Sequence, residues 1–349
     1  MFFIFLMKHR DVVIVGGGIA GLMTAKYLAE EGVDFVLFEE HNDFFRKACG
    51  EGIIPDIRGY NFFDDLYESK VGVEREVEET VIHTNHGDVS LYMPYVIVDK
   101  LRVERELAKQ VIKRGGEILM NQRVERIEGV KPVVLPHNIE ANIVVGADGA
   151  NSIVRRWMGI KPPHMGFAVE SRTKMDLSPS SSHVELKKDV VPYGYSWFFP
   201  KKEEWNVGVG AFKMKYFKDA FERFRSRFSG AGRWKGAYLP LDRPTRSHGK
   251  NGILVGDSAS QIISSVGAGN TTAAICGKLA AECIIQFYKK GYRDLDLSVY
   301  EKAWRKRLSR LFLNSYVFAH LFFTLRRPSE YLTGLILRKV VRSVSESYH

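Results

Sequence analysis

The hydrophobic pattern opens with a short run, Asp11 to Val15, that ends in Gly16-Gly17-Gly18. From Ile19 to Glu31 the apolar positions Ile19, Leu22, Met23, Tyr27 and Leu28 fall at helical spacing, and Phe35 to Phe38 is a second buried-strand run closed by Glu39. Strand, turn, helix, strand is the βαβ unit of a dinucleotide-binding fold. Further along, Val98 to Arg114 reads as a helix stopped by Gly115-Gly116, and Ile143 to Val145 as a strand running into Gly146-Ala147-Asp148-Gly149. Residues 121–142 suit a reduced set of short strands. Residues 161–213 alternate in polarity and carry many turn residues, which predicts an antiparallel sheet distinct from the parallel one. Gly252 to Val255 returns to a buried strand, and Ala268 to Lys289 is a long helix. The pattern divides the chain into a discontinuous nucleotide-binding domain (1–70, 94–160 and 245–290), an inserted domain expected to hold the substrate (71–93 and 161–244), and a helical C-terminal segment (291–349).

Composition adds limits. With 349 residues, 45% hydrophobic and 26% charged, the chain can bury a sizeable core. Three cysteines, Cys49, Cys276 and Cys283, and no secretory signal ahead of the first strand pattern point to the cytoplasm. The apolar stretch Met1 to Met7 is far shorter than the roughly 20 residues that span a bilayer. It reads as an extension of the first strand, with Met7 as an alternative start.

The formal charge is +10, and residues 301–349 hold ten Lys and Arg against three Glu, which is +7 of that total. Apolar runs, Leu311 to Leu325 and Tyr331 to Leu337, separate the basic clusters. Two readings fit: a surface helix resting on anionic lipid, peripheral to the inner face of the membrane, or C-terminal helices packed on the body with solvated charges. Nucleic acid is not expected as a partner, because the basic residues interleave with large aliphatics. No metal site is expected.

Gly16-x-Gly18-x-x-Gly21 sits between strand and helix, where Gly16 allows the tight turn, Gly18 lets a pyrophosphate approach the backbone, and Gly21 lets helix and strand pack closely. Glu39 ends the second strand 21 residues after Gly18, where an acid accepts hydrogen bonds from the adenosine ribose. Asp148-Gly149-Ala150-Asn151-Ser152-Ile153-Val154-Arg155 resembles the D-G-x-x-S-x-x-R segment of flavin hydroxylases, and Gly256-Asp257-Ser258-Ala259 resembles their G-D-x-A segment, whose Asp binds the ribityl chain of FAD. Together these imply FAD in an α/β, glutathione-reductase-like fold of the p-hydroxybenzoate-hydroxylase type. The cofactor contacts implied are Gly16, Gly18, Ile19, Ala20, Gly21, Glu39, Glu40, Cys49, Gly50, Lys100, Arg102, Val124, Asp148, Gly149, Gly256, Asp257, Gly267, Gly269 and Asn270. Glycines 267 and 269 open the long helix, and its bare amides favour negative charge at the flavin edge.

One motif addresses the substrate. Pro192-Tyr193-Gly194-Tyr195-Ser196-Trp197-Phe198-Phe199-Pro200, then seven residues, then Gly208-Val209-Gly210, resembles the P-x-x-Y-x-W-x-F-P…G-x-G signature of the geranylgeranyl reductase family. The resemblance implies reduction of isoprenoid double bonds on a prenylated lipid, with Tyr195, Trp197, Phe199, Pro200, Gly208 and Gly210 at the substrate. Strand alternation independently puts Tyr195, Trp197 and Phe199 on one face, a wall suited to a hydrocarbon or simply to a core. The same family carries a Cys-Gly segment matching Cys49-Gly50, which implies a redox or proton-handling part for Cys49. Arg46 and Lys47 would lower its thiol pKa if they face it. Tyr195 is the second candidate proton donor.

The chain departs from the family at Lys100, where Arg is common, at Ser264, where Pro is common, and at Asn270, which replaces an apolar residue. No second Gly-x-Gly-x-x-Gly stands in a strand-to-helix setting, so electrons are expected from a transiently docked NAD(P)H or from a ferredoxin-like protein. A flavin monooxygenase or halogenase and a quinone-linked oxidoreductase share the Gly16, Asp148 and Asp257 motifs. A prenyl-lipid carrier without redox work is a further alternative.

Overall fold

The computed structural model describes residues 8–66 and 70–323. Strand β1 (Lys8–Val15) leads through the glycine turn into α1 (Ile19–Glu30), and β2 (Phe35–Phe38) returns parallel to β1. The two-residue strands β3 (Gly52–Ile53), β4 (Asp56–Ile57) and β5 (Tyr60–Asn61) and the short helix α2 (Phe62–Leu66) follow. A long hairpin, β6 (Val73–Thr84) and β7 (Gly87–Val98), then crosses to a second sheet. Helix α3 (Lys100–Lys113) returns the chain to the first sheet for β8 (Glu117–Leu119), β9 (Arg126–Glu128), β10 (Val133–Leu135) and β11 (Ile139–Gly146), which α4 (Ile153–Trp157) closes. The second sheet resumes with β12 (Met165–Thr173), β13 (Ser181–Glu185), β14 (Gly194–Pro200) and β15 (Trp205–Ala211), passes through α5 (Phe217–Arg225), and ends at β16 (Lys235–Pro240). Strand β17 (Gly252–Leu254), α6 (Asn270–Tyr288) and α7 (Ser298–Phe323) complete the described chain.

The first sheet runs β8-β2-β1-β11-β10-β9, with β17 also paired to β11. Its central strands are parallel, and residues 12–15 of β1, all of β2 and residues 143–146 of β11 are apolar and buried, as stretches covered on both faces must be. The second sheet runs β16-β12-β15-β14-β13-β6-β7-β3. It is antiparallel except where β13 meets β6 in parallel, because the β6–β7 hairpin arrives from an earlier part of the chain. Val98 completes β7, so the predicted helix starts two residues later, at Lys100, once the Asp99 carboxylate has capped it through the Arg102 amide.

Helices α1 and α6 pack closely. A methyl group on Gly277 would sit 2.5 Å from the Ala20 carbonyl oxygen. The Thr24 hydroxyl, 3.2 Å from the Gly277 oxygen, uses the same close approach. Cys276 and Cys283 are buried in α6, and burial pushes the Cys283 thiol up to about 11.

Helix α7 binds the two layers together. Tyr300, Trp304, Leu308 and Phe312 enter the core shared with α1, α3 and α6, whereas Ala319, Phe322 and Phe323 lie on the inner face of the second sheet with Leu186, Phe212 and Leu241. Much of the run from Leu311 onward thus faces protein. The expected segment Tyr331 to Leu337 and the final basic clusters lie outside the described residues, as does Met1 to Met7.

Candidate active site

The glycine turn behaves as its spacing requires. Gly16 has φ +105°, a conformation L side chains rarely adopt, and Gly21 abuts the Gly16 carbonyl so tightly that no side chain fits. Gly18 has nothing within 4 Å of where a side chain would begin. It caps α1 without a side-chain hydrogen bond, and Gly269 does the same for α6. Two helix N-termini therefore present uncapped amides to one cavity of about 1400 Å³, which both glycines line.

Acids and bases frame this end. Glu39 accepts from the Gly17 amide at 2.8 Å and from the His41 amide at 3.0 Å, which fixes its carboxylate against the turn. Asp148 accepts from the amides of Ile153 (2.7 Å) and Val154 (3.3 Å), and burial pushes its carboxyl pKa up. Arg155 is buried and donates to the carbonyls of Ala150 (2.6 Å) and Ser258 (3.0 Å), so it staples the Asp148 segment to the Gly256–Ala259 segment. Asp257 pairs with Lys47. The open turn, the acid beside it and the bare amides at two helix starts fit FAD.

Some expected contacts stand apart. Glu40 is half-exposed beside Arg123 at 3.5 Å, the Arg102 side chain is exposed, and Val124 packs in the core on the far face of the first sheet. None of these three lines the cavity.

Tyr195, Trp197 and Phe199 all line the cavity from β14, with neighbouring ring centroids 6.1 and 6.3 Å apart, while Phe198 points into the opposite core beneath α5. Gly210 lines it too. Gly208 and Pro200 do not: Gly208 makes room for the Trp197 indole lying against it, and Pro200 closes the strand opposite Trp205.

The Cys49 loop meets this wall. A methyl on Gly50 would come within 2.8 Å of the Phe199 ring and 3.4 Å of the Trp197 indole nitrogen, so the Cys-Gly pair seats directly on the aromatics. The Cys49 sulfur accepts from the Glu51 amide at 3.3 Å and from Asn270 Nδ2 at 4.0 Å. Arg46 and Lys47 do not bear on it as anticipated, since Arg46 bonds Asn42 and Lys47 is drawn to the Asp257 carboxylate. The cation at Cys49 is Lys100. Burial opposes its charge, but Cys49, Glu104 and Asp257 outweigh that and hold the Lys100 pKa above its ordinary value. Tyr195 donates its hydroxyl proton to the Val266 carbonyl at 2.8 Å, and desolvation pushes its pKa up.

Two buried residues escaped the sequence reading. Glu51, 2% exposed and at φ +60°, gathers Arg172, Lys201 (3.0 Å), Asn206 (3.4 Å) and the Lys100 amide (3.0 Å). Asn206 on β15 accepts from the Trp197 indole at 2.9 Å and donates to the Cys49 carbonyl at 2.8 Å, joining wall to loop. Asn is depleted in strands, so its place inside Trp205–Ala211 was the visible signal. Glu51 gave none.

The comparisons with known proteins agree with this geometry. A model of the FAD binding domain matches residues 9–185, and one of the geranylgeranyl reductase catalytic domain matches residues 167–231. The digeranylgeranylglycerophospholipid reductase of Methanosarcina mazei is 30% identical, with 86% of this chain and 81% of that protein covered. Its counterpart from Methanosarcina acetivorans is 29% identical over 85% and 80%. The solved structure of a geranylgeranyl bacteriochlorophyll reductase-like protein from Thermoplasma acidophilum superposes with a TM-score of 0.81 at 21% identity, covering 98% of this chain and 92% of that one. Fold and site together define an FAD-dependent oxidoreductase. Within that class, the chain belongs to the geranylgeranyl reductase family.

Proposed function

We propose that this enzyme saturates isoprenoid double bonds of a prenylated lipid, with the chain lying between the β14 wall and α7. The observation that carries this reading is continuity: one cavity, mostly apolar in its lining, runs from the uncapped amides of α1 and α6 past Cys49 to the Tyr195, Trp197 and Phe199 rings. Bound and reduced, FAD supplies a hydride to one carbon of the double bond. The chain's own residues do the rest. The aromatic wall orients the hydrocarbon and, with the Phe212 and Phe323 side chains, keeps water from the reacting carbons.

A proton must reach the second carbon, and Cys49 is the better placed of the two candidates. The Tyr195 proton is committed to the Val266 carbonyl, and its raised pKa makes it a weak acid. The two electrons enter from NAD(P)H or a ferredoxin-like protein, and the basic residues after Glu301 draw the enzyme to an anionic membrane surface.

The test is mass spectrometry of a geranylgeranyl lipid incubated anaerobically with the yellow protein and dithionite. A gain of two hydrogens per reduced double bond is expected. Unchanged lipid, with flavin that still reduces and reoxidises, would overturn the reading in favour of an oxygen- or quinone-linked reaction.

A further inference from the structure

Helix α7 carries a second apolar stripe that the core does not use. Leu313, Val317 and Leu321 recur every four residues and are 48%, 44% and 52% exposed. They border the same cavity as the inward side chains, as does Tyr92 on β7, which is 68% exposed. Positions 306, 310, 313, 317 and 321 follow helical spacing, so the exposed Lys306 and Arg310 continue this stripe toward the helix start. The outward face of α7 is thus basic in its first half and apolar in its second, with the apolar half at the cavity mouth.

We propose that this lip, formed by Leu313, Val317, Leu321 and Tyr92 and flanked by Lys306 and Arg310, is the docking surface for an anionic lipid bilayer. The inference rests on the reading that the cavity takes a lipid-borne isoprenoid. Such a chain loses its hydrophobic stabilisation wherever it meets water, so the passage from bilayer to cavity must stay apolar. A mouth rimmed by large aliphatics and set into the interface gives that passage, and cations one and two turns away meet the head groups.

Other covers fit the face less well. A second copy docked by two-fold symmetry would set Lys306 and Arg310 either against themselves or against the apolar half. The chain beyond Phe323 carries five Lys and Arg against two Glu, so it would lay like charge on like charge.

The experiment is co-sedimentation of the full-length, FAD-loaded protein with phosphatidylcholine vesicles that contain or lack phosphatidylglycerol. Wild type should bind the anionic vesicles and release in high salt. Leu313→Asn/Val317→Asn/Leu321→Asn should weaken partitioning by about tenfold or more, as expected from removing several apolar groups from an interface. Lys306→Ser/Arg310→Ser, which lies off the cavity, should lose the preference for phosphatidylglycerol while still reducing detergent-dispersed prenyl lipid. It decides the matter if the triple variant fails to load FAD.

Wild type that ignores phosphatidylglycerol would overturn the proposal. So would a triple variant that binds like wild type, above all if truncation after Phe323 then abolishes binding, because the tail would be the anchor. A triple variant that elutes at half the wild-type mass would show that a second copy covers the face, and would overturn it too. Failure of the catalytic reading is separable: wild type that binds anionic vesicles through the lip but leaves detergent-dispersed prenyl lipid unchanged keeps the docking surface and loses the reaction.

Discussion

Asn206→Leu isolates the link between the aromatic wall and the Cys49 loop. Leucine matches the volume but removes the carboxamide that joins the Trp197 indole (2.9 Å) to the Cys49 carbonyl (2.8 Å), together with its longer bond to the Glu51 carboxylate (3.4 Å), which keeps Arg172 and Lys201 as partners. The buried indole N–H then has no partner, at about 1–3 kcal/mol, and the half-buried Cys49 carbonyl loses a bond worth about 1 kcal/mol, so the total is about 2–4 kcal/mol. A chain of this length unfolds with an entropy of about 0.7 kcal/mol/K, which converts the loss to a fall in Tm of about 3–6 °C. Thermal unfolding of the FAD-loaded protein measures it. Freed from its tether, the loop should also expose Cys49 to alkylation faster, and Cys276 and Cys283 do not obscure this because both are buried. Prenyl reduction should fall at least about tenfold, since small misplacement of a reacting group is costly, and mainly in kcat. In a double-mutant cycle, Asn206→Leu and Trp197→Phe should couple by about 1 kcal/mol. Additive effects on stability together with unchanged alkylation would refute the linkage and leave Asn206 a space-filling residue.

Three further outcomes follow from the site and from the seating of α7. Tyr195→Phe removes one neutral hydrogen bond to Val266, so stability should fall by about 1 kcal/mol and single-turnover reduction should change only a few-fold; a loss of several orders of magnitude would return the proton to Tyr195. Cys49→Ala should retain FAD while alkene reduction by the pre-reduced protein falls about 10²-fold or more, the usual scale for a general acid, and unchanged turnover would remove Cys49 from the chemistry. Glu301, although burial opposes its charge, accepts from the Ser247 amide, Arg305 and His248, which hold its pKa below the ordinary 4.5. A depressed carboxylate contributes stability that is full above 4.5 and lost as pH falls through the lower folded-state value. Glu301→Gln should therefore lose about 1–2 kcal/mol near neutrality and show a shallower acid limb in Tm against pH; parallel limbs would contradict this.

Local patterns made the cofactor end legible. A strand run, a glycine turn and a helical period are all written in adjacent residues, and Gly16, Gly18 and Gly21 take the conformations and contacts their spacing demands. Period-two alternation likewise placed Tyr195, Trp197 and Phe199 on one face. What stayed hidden depends on contacts between distant segments. Glu51 meets Arg172 and Lys201 across gaps of 121 and 150 residues, and nothing near Glu51 in the chain announces that its carboxylate is buried. The charge near Cys49 was misjudged for the same reason: proximity in sequence suggested Arg46 and Lys47, but the fold turns Lys47 toward Asp257, 210 residues away. Helix α7 was expected as a helix, but its seating stayed open, because its helical period does not say which stripe meets protein and which meets solvent.

The departures from the family pattern acquire a common meaning in three dimensions. Lys100 stands where Arg is common, and it lies among Cys49, Glu104 and Asp257. A compact ammonium fits between the Glu104 and Asp257 carboxylates beside Cys49, where a planar guanidinium would demand a flat, two-pronged partner. Asn270 replaces an apolar residue, and its amide ties the start of α6 to the Gly52 carbonyl at 3.0 Å and reaches the Cys49 sulfur. Ser264 is buried and lines the same cavity. Lys100 and Asn270 therefore both act on the Cys49 loop, while the β14 wall keeps the family signature intact. The β14 wall is thus the part that keeps the family signature, and the surroundings of the Cys49 loop are the part that departs from it. Differences in rate or regiochemistry between this enzyme and its relatives should accordingly trace to Lys100 and Asn270 before they trace to the aromatic wall.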